Sequence, residues 1–215
     1  MALYLAATDV LVALHTCPLP EGLAPYSPAE MAEMIAPLAE FYAPAVGAPF
    51  PHAEWLSLKL ALEESLRSTD MPPAVMIHRD YHAENLLWLP DRSGFARVGV
   101  LDFQDALLGH PAYDLASLLG DVRRTVPLQV REASIIHYLA ETGTPEAEFR
   151  AGLAAQGAQR NLRILGLFAR LCTRLGKPGY LDFMPRLWAN LQSHLAQPAL
   201  SVLREAVADL VPEPT

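Results

Sequence analysis

His78-Arg79-Asp80-Tyr81-His82-Ala83-Glu84-Asn85, followed after a short insert by Val100-Leu101-Asp102-Phe103, is the stretch on which the reading of this chain turns. It places one carboxylate, Asp80, before an amide, Asn85, and a second carboxylate, Asp102, beyond the insert. Two apolar runs, Asn85 to Leu89 and Val98 to Leu101, flank Pro90-Asp91-Arg92-Ser93-Gly94, which is turn chemistry. The spacing therefore predicts a hairpin whose turn folds the strand after Asn85 back against the strand before Asp102. Asn85 and Asp102 then share the open end of the hairpin, with Asp80 just outside it.

Those residue types fit phosphoryl transfer from a magnesium nucleotide. That chemistry asks a protein for a group to accept the attacking hydroxyl's proton, hard oxygen ligands for magnesium, and a rigid scaffold for both. Magnesium takes one or two carboxylates together with phosphate oxygens. Asp102 supplies the carboxylate, Asn85 adds a side-chain carbonyl oxygen without adding charge, and Asp80 is left as the acid–base group. A His-Arg-Asp tripeptide alone arises often by chance. The amide at the right offset, the turn-forming insert and the second Asp-Phe make coincidence a much poorer account.

The neighbours divide between packing and chemistry. His78 follows an apolar strand and reads as a packing and hydrogen-bonding residue that supports the loop. Arg79 either pairs with a carboxylate or is solvated. His82 and Glu84 read as exposed loop residues within reach of a substrate, and Asp105, with Gln104, is open between metal-loop contacts and hydration. Asp114 stands in the first turn of an apolar helix. Its carboxylate either meets the helix N-terminus or accepts backbone bonds from the loop, and the second reading is preferred because such a loop needs rigid support.

Around this β island the chain reads as helix. Ala2 to His15 carries apolar residues at helical spacing, and the Pro-rich segment from Pro18 to Pro25 ends it. Ser27-Pro28-Ala29-Glu30 is a capping box with Pro at the first helical position, predicting a helix to about Tyr42. Further helices are expected at Ala53 to Arg67, Tyr113 to Arg124, Pro127 to Thr142, Pro145 to Leu175, Leu181 to Ala196 and Pro198 to Leu210. The stripe Leu162, Leu165, Phe168, Ala169 and Cys172 is core packing. Arg160, Arg163, Arg170 and Arg174 read as a solvated or salt-bridged face, from which one guanidinium (Arg163 is the candidate) is suited to a sugar carboxylate or phosphate. The fold class expected is α+β and mostly α, with a small β-hairpin carrying the polar cluster.

Composition sets the outer bounds. A chain of 215 residues with 52% hydrophobic and 19% charged residues is long enough and apolar enough for a substantial core. A net charge of -8 argues against nucleic acid as a partner, since that needs a basic face. Cys17 and Cys172 are expected to be buried free thiols rather than a disulfide. No apolar run is long enough to span a membrane, and the N-terminus lacks a basic leader, so a soluble cytoplasmic protein is expected.

At these residues the chain resembles the aminoglycoside phosphotransferase-like kinase superfamily. His78-x-Asp80-x-x-x-x-Asn85 is similar to its catalytic loop, Asp102-Phe103 to its metal loop, and Gly109-His110-Pro111-x-x-Asp114-Leu115-Ala116 to the segment that follows. A nearer resemblance is to the bacterial kinases of cell-wall recycling that phosphorylate N-acetylmuramate and N-acetylglucosamine at the anomeric hydroxyl. Asp121 to Pro127, Gln159 to Leu171 and Pro185 to Trp188 carry it. The resemblance implies a protein-kinase-like fold, ATP and Mg2+ as cofactors, and an amino sugar as substrate. It also implies a β-rich N-terminal lobe with a glycine loop and a strand lysine, and these have no counterpart before the catalytic loop. Gly22 and Gly47 are the only glycines before Gly94, and the first lysine, Lys59, sits in a helical pattern. Residues 1–210 are thus expected to be a C-terminal lobe with the ATP-binding lobe absent, and 211–215 a tail. Three alternatives stand beside it: an aminoglycoside or other small-molecule kinase, a single-lobe binding or regulatory module without turnover, and a reading frame begun at an internal Met.

Overall fold

The computed structural model describes residues 1–214. They form two compact units, each assembled from two separated stretches of chain: 1–26 with 71–153, and 27–70 with 154–215.

The first unit holds α1 (Ala2–Thr16), four three-residue strands, α5 (Tyr113–Leu119) and α6 (Leu128–Thr142). The strands pair as two separate antiparallel ribbons. β1 (Val75–Ile77) pairs with β4 (Leu107–Gly109), and β2 (Leu86–Trp88) pairs with β3 (Val98–Val100). The β2–β3 register sets Leu86 opposite Val100 and Trp88 opposite Val98, which is the predicted hairpin. The fourth strand was not expected from the sequence. Leu107-Leu108-Gly109 is short and has no alternation, and its partner is distant, with Gly109 opposite Val75. Gly109 has no room for a side chain, because a Cβ there would come within 2.5 Å of Ile77 Cδ1.

All seven residues of α5 are buried, a consequence of its apolar Leu-Ala-Ser-Leu-Leu run. Its core joins Leu115 and Leu118 to Leu11 of α1, to Tyr81, and to Tyr138 of α6. Tyr138 stacks on Phe149 at 4.8 Å between centroids. α5 is shorter than the predicted helix to Arg124. It stops at Gly120, whose N–H still donates to Ala116 O, and glycine is a poor helix former.

The second unit contains α2 (Pro28–Glu33), a π turn (Leu38–Tyr42), the single-turn α3 (Ala43–Ala45), α4 (His52–Ser68), α8 (Met184–Leu195) and α9 (Ser201–Leu210). α7 (Glu146–Leu175) gives its first residues to the first unit and the remainder to the second. The capping box is present: Ser27 Oγ accepts the Glu30 N–H, and Glu30 accepts the Ser27 N–H. The single helix expected up to Tyr42 is instead interrupted after Glu33, ahead of Pro37, a residue with no N–H to offer. Buried Leu58, Leu62 and Leu66 line one face of α4, which packs on α2 and α9.

Three burial expectations are corrected. Leu3, one of the apolar residues at helical spacing between Ala2 and His15, is exposed. Cys17 is exposed and Cys172 only half-buried, so neither is a core thiol. Both are free, as expected. No helix is long and apolar enough among the described residues to cross a membrane. Val211 is buried and the Pro212 carbonyl accepts the Tyr42 hydroxyl at 2.6 Å, so the segment after α9 is anchored.

Candidate active site

The site is built where β1 ends and the chain turns toward β2. Asp114, on the first turn of α5, is completely buried and accepts two backbone N–H groups, from His78 at 2.6 Å and from Arg79 at 3.0 Å. A fully buried carboxylate is tolerated only with such donors. The pair of bonds holds Arg79 in a left-handed backbone conformation, φ 73°. Arg79 runs back over the Tyr26 ring at 5.3 Å, and its Nη1 donates to the Asp105 carbonyl at 3.4 Å.

His78 ties this loop to the one that bears Asp102. Its Nδ1 accepts the Asp80 N–H at 3.3 Å, which leaves the ring proton on Nε2, and Nε2 donates to Leu101 O at 2.7 Å. Tyr81, fully buried, anchors the loop from below by donating to the Ala7 carbonyl at 2.8 Å. Burial pushes its hydroxyl pKa far up, so it stays a donor.

Asp80 points outward, with 58% of its side chain exposed, and both of its oxygens are met by donors. His82 Nε2 lies 3.3 Å from Oδ1, and Asn85 Nδ2 donates to Oδ2 at 3.2 Å and to the Asp80 carbonyl at 2.9 Å. His82 is therefore not the exposed loop residue expected. It is buried, at 8% exposure, because its Nδ1 accepts the Glu84 N–H and caps the turn Ala83–Asn85. That bond fixes the tautomer and turns Nε2–H toward Asp80.

Asn85 and Asp102 flank the same open end of the β2–β3 hairpin. Leu101 N donates to Asn85 O at 2.9 Å, one pair beyond the Leu86–Val100 match, and Asp102 follows at once. Asp102 is exposed and left-handed, with φ 59° and ψ 43°. Since the Asn85 amide nitrogen is spent on Asp80, its side-chain oxygen is the atom left to act as a ligand. One carboxylate and one amide oxygen suit a magnesium ion shared with nucleotide phosphates. Among the described residues no group of three His, Cys, Asp or Glu side chains gathers for a metal.

The remaining candidates are scattered. Glu84 is exposed and pairs with Arg123 at 3.2 Å. Asp105 is exposed on the turn after Asp102. Arg163 lies half-buried on α7 in the second unit. Arg123 was not singled out as a site residue from the sequence, since nothing in the spacing links it to Glu84.

This arrangement has known relatives. The model of the phosphotransferase enzyme family matches residues 2–153, which include every site residue except Arg163. The chain belongs to that family. An N-acetylmuramate/N-acetylglucosamine kinase of Caulobacter vibrioides is 55% identical over 144 residues, covering 66% of this chain and 39% of that protein. One of the same name from Pseudomonas putida is 32% identical, covering 97% of this chain and 62% of the relative. The chain thus spans about two fifths to three fifths of these two curated relatives. The fold is shared with a choline/ethanolamine kinase family protein from Mesorhizobium loti (TM-score 0.61, 14% identity, 96% of this chain and 65% of that one). It is also shared with a microcompartment-associated aminopropanol kinase (TM-score 0.65, 19% identity, 93% of this chain and 64% of that one). The mostly helical, kinase-like fold expected from the motif is therefore the fold found.

Proposed function

We propose that this chain carries the catalytic and metal-binding residues of an ATP-dependent sugar kinase that phosphorylates the anomeric hydroxyl of N-acetylmuramate and N-acetylglucosamine. The observation that carries the reading is Asp80, solvent-facing and held on both oxygens, beside a hairpin whose open end bears Asn85 and Asp102. The names of the relatives supply the substrate class.

Asp80 is the proton acceptor. The donors on its two oxygens orient it without closing it off, so it can take the proton of a sugar hydroxyl as that oxygen attacks phosphorus. Asn85 and Asp102 would hold magnesium, which when bound draws together the nucleotide phosphates and offsets their charge. His78 and Asp114 keep the two loops in register, so that base and ligands stay at fixed separation.

A second reading, a binding or regulatory module without turnover, draws on Lys59. It lies on α4 and is paired with Glu33, far from the role of a strand lysine on nucleotide phosphates.

The deciding experiment incubates the chain with Mg-ATP and a panel of N-acetylmuramate, N-acetylglucosamine and aminoglycosides, and follows phosphorylation by 31P NMR. Conversion of the amino sugars to anomeric phosphates is expected, with Asp80→Asn lowering the rate about 10²–10⁴-fold and Asp102→Ala abolishing it. Near-normal turnover in either variant overturns the roles given. Absence of both Mg-ATP binding and transfer favours the module, and tight Mg-ATP binding counts against it.

A further inference from the structure

The catalytic loop is gripped at its start by Asp114, at the N-terminal end of α5. The segment just past the other end of the same helix also reaches it. Gly120 ends α5, and Asp121 follows with a side chain only 1% exposed. Its Oδ1 accepts the Arg123 N–H at 3.0 Å and lies 3.8 Å from Arg123 Nη1, while Oδ2 is buried with no hydrogen-bond partner among the described residues. From that base Arg123 extends its Nε to Glu84 Oε2, 3.2 Å away, and Glu84 immediately precedes Asn85.

We propose that Arg123 is a positioning residue that clamps the distal end of the catalytic loop through Glu84, so that α5 and the segment just past it fix the loop at both ends. The proposal rests on the reading of Asp80 and Asn85 as the phosphoryl-transfer loop. A guanidinium lying between two carboxylates is already neutralised on both sides, which makes it a bridge rather than a receptor for a substrate anion. Its stem is constrained by the buried Asp121, so what it holds in place is the half-exposed Glu84. Asn85 donates to Asp80, and Leu101 donates to the Asn85 carbonyl. A loosened Glu84 would therefore blur both the acid–base carboxylate and the hairpin end that carries Asp102.

The test is a double-mutant cycle with Glu84→Gln, Arg123→Met and the double variant, read by amide hydrogen exchange at Asn85 and Leu101 and by melting temperature. Each single variant should lose about three- to fivefold of protection at those two amides, the size expected of a half-exposed ion pair. The double variant should lose no more than the worse single one. In the phosphorylation assay the same variants should lower kcat several-fold with the sugar KM unchanged. Unaltered protection in Glu84→Gln, or additive losses in the double variant, would overturn the clamp. Because Glu84 is exposed, its variant decides the matter even if Arg123→Met fails to fold. A chain that transfers no phosphate yet shows the non-additive loss retains the clamp and loses only the sugar-kinase reading.

Discussion

Asp102 sits in the left-handed region, φ 59° and ψ 43°, where an L residue pays a steric cost that glycine does not. The structure holds it there by its flanks: the preceding carbonyl, Leu101 O, accepts from His78, and Leu101 N is tied to Asn85. Strain kept at an exposed carboxylate is the cost in stability that the proposed ligand role of Asp102 would carry. Asp102→Gly is therefore expected to stabilise the fold by about 0.5–1 kcal/mol while removing phosphotransfer. Thermal melting should show a rise of roughly 2 °C, and an unchanged or lower melting point would mean that the left-handed conformation is not a burden. At this scale the sequence was legible where chemistry depends on spacing along the chain. The nearness of Asn85 to the hairpin end that bears Asp102 could be foreseen, because a hairpin converts separation along the chain into proximity. His82 could not, since its burial follows from a side-chain cap on the Ala83–Asn85 turn, which no residue pattern announces.

The helices were readable from periodicity and caps, and their breaks were harder to place. Pro37 and Gly120 are visible breakers, but apolar spacing continues past both, and only the packed structure decides where a helix yields. α1 illustrates a further limit, because its apolar surface conceals a titratable contact. His15, near its end, places Nδ1 2.8 Å from the Tyr138 hydroxyl of α6, and its Nε2 is buried without a partner among the described residues. Burial, reinforced by the nearby His110, lowers its pKa to about 4. Unfolded, the same group titrates near 6.5. Between these values the unfolded chain binds more proton than the folded one, so stability is complete above about pH 6.5 and declines as pH falls toward 4. The loss on going from pH 7 to 4.5 should be about 2–3 kcal/mol from this residue. Urea titrations of wild type and His15→Leu at the two pH values measure it as the difference between the two proteins' losses. Equal losses would mean that His15 titrates alike in both states.

At the scale of the whole molecule, each unit is closed by stretches far apart in sequence. Residues 27–70 are completed by 154–215, so α4 owes its burial to the end of the chain. Sequence periodicity identified α4 and α9 as separate amphipathic helices, but helical spacing carries no record of which helix covers which. Leu58 and Leu62 are fully buried on α4, and Leu203 and Val207 are buried on α9, which packs against it. Each such side chain contributes on the order of 2 kcal/mol when removed from water. A chain ending at residue 197 would uncover the α4 leucines as well as lose the two on α9, a deficit of several kcal/mol against a total stability of about 5–15 kcal/mol. Hydrogen exchange on that truncated chain is expected to show protection lost throughout α2 and α4, more than a hundred residues upstream of the cut. Amides of β1 to β4 and α5 belong to the unit closed by 1–26 and 71–153, so they should keep much more of theirs. If α4 retained full protection without α9, the first stretch of that unit would be folding alone, and the closure of each unit by distant chain would not be what holds it.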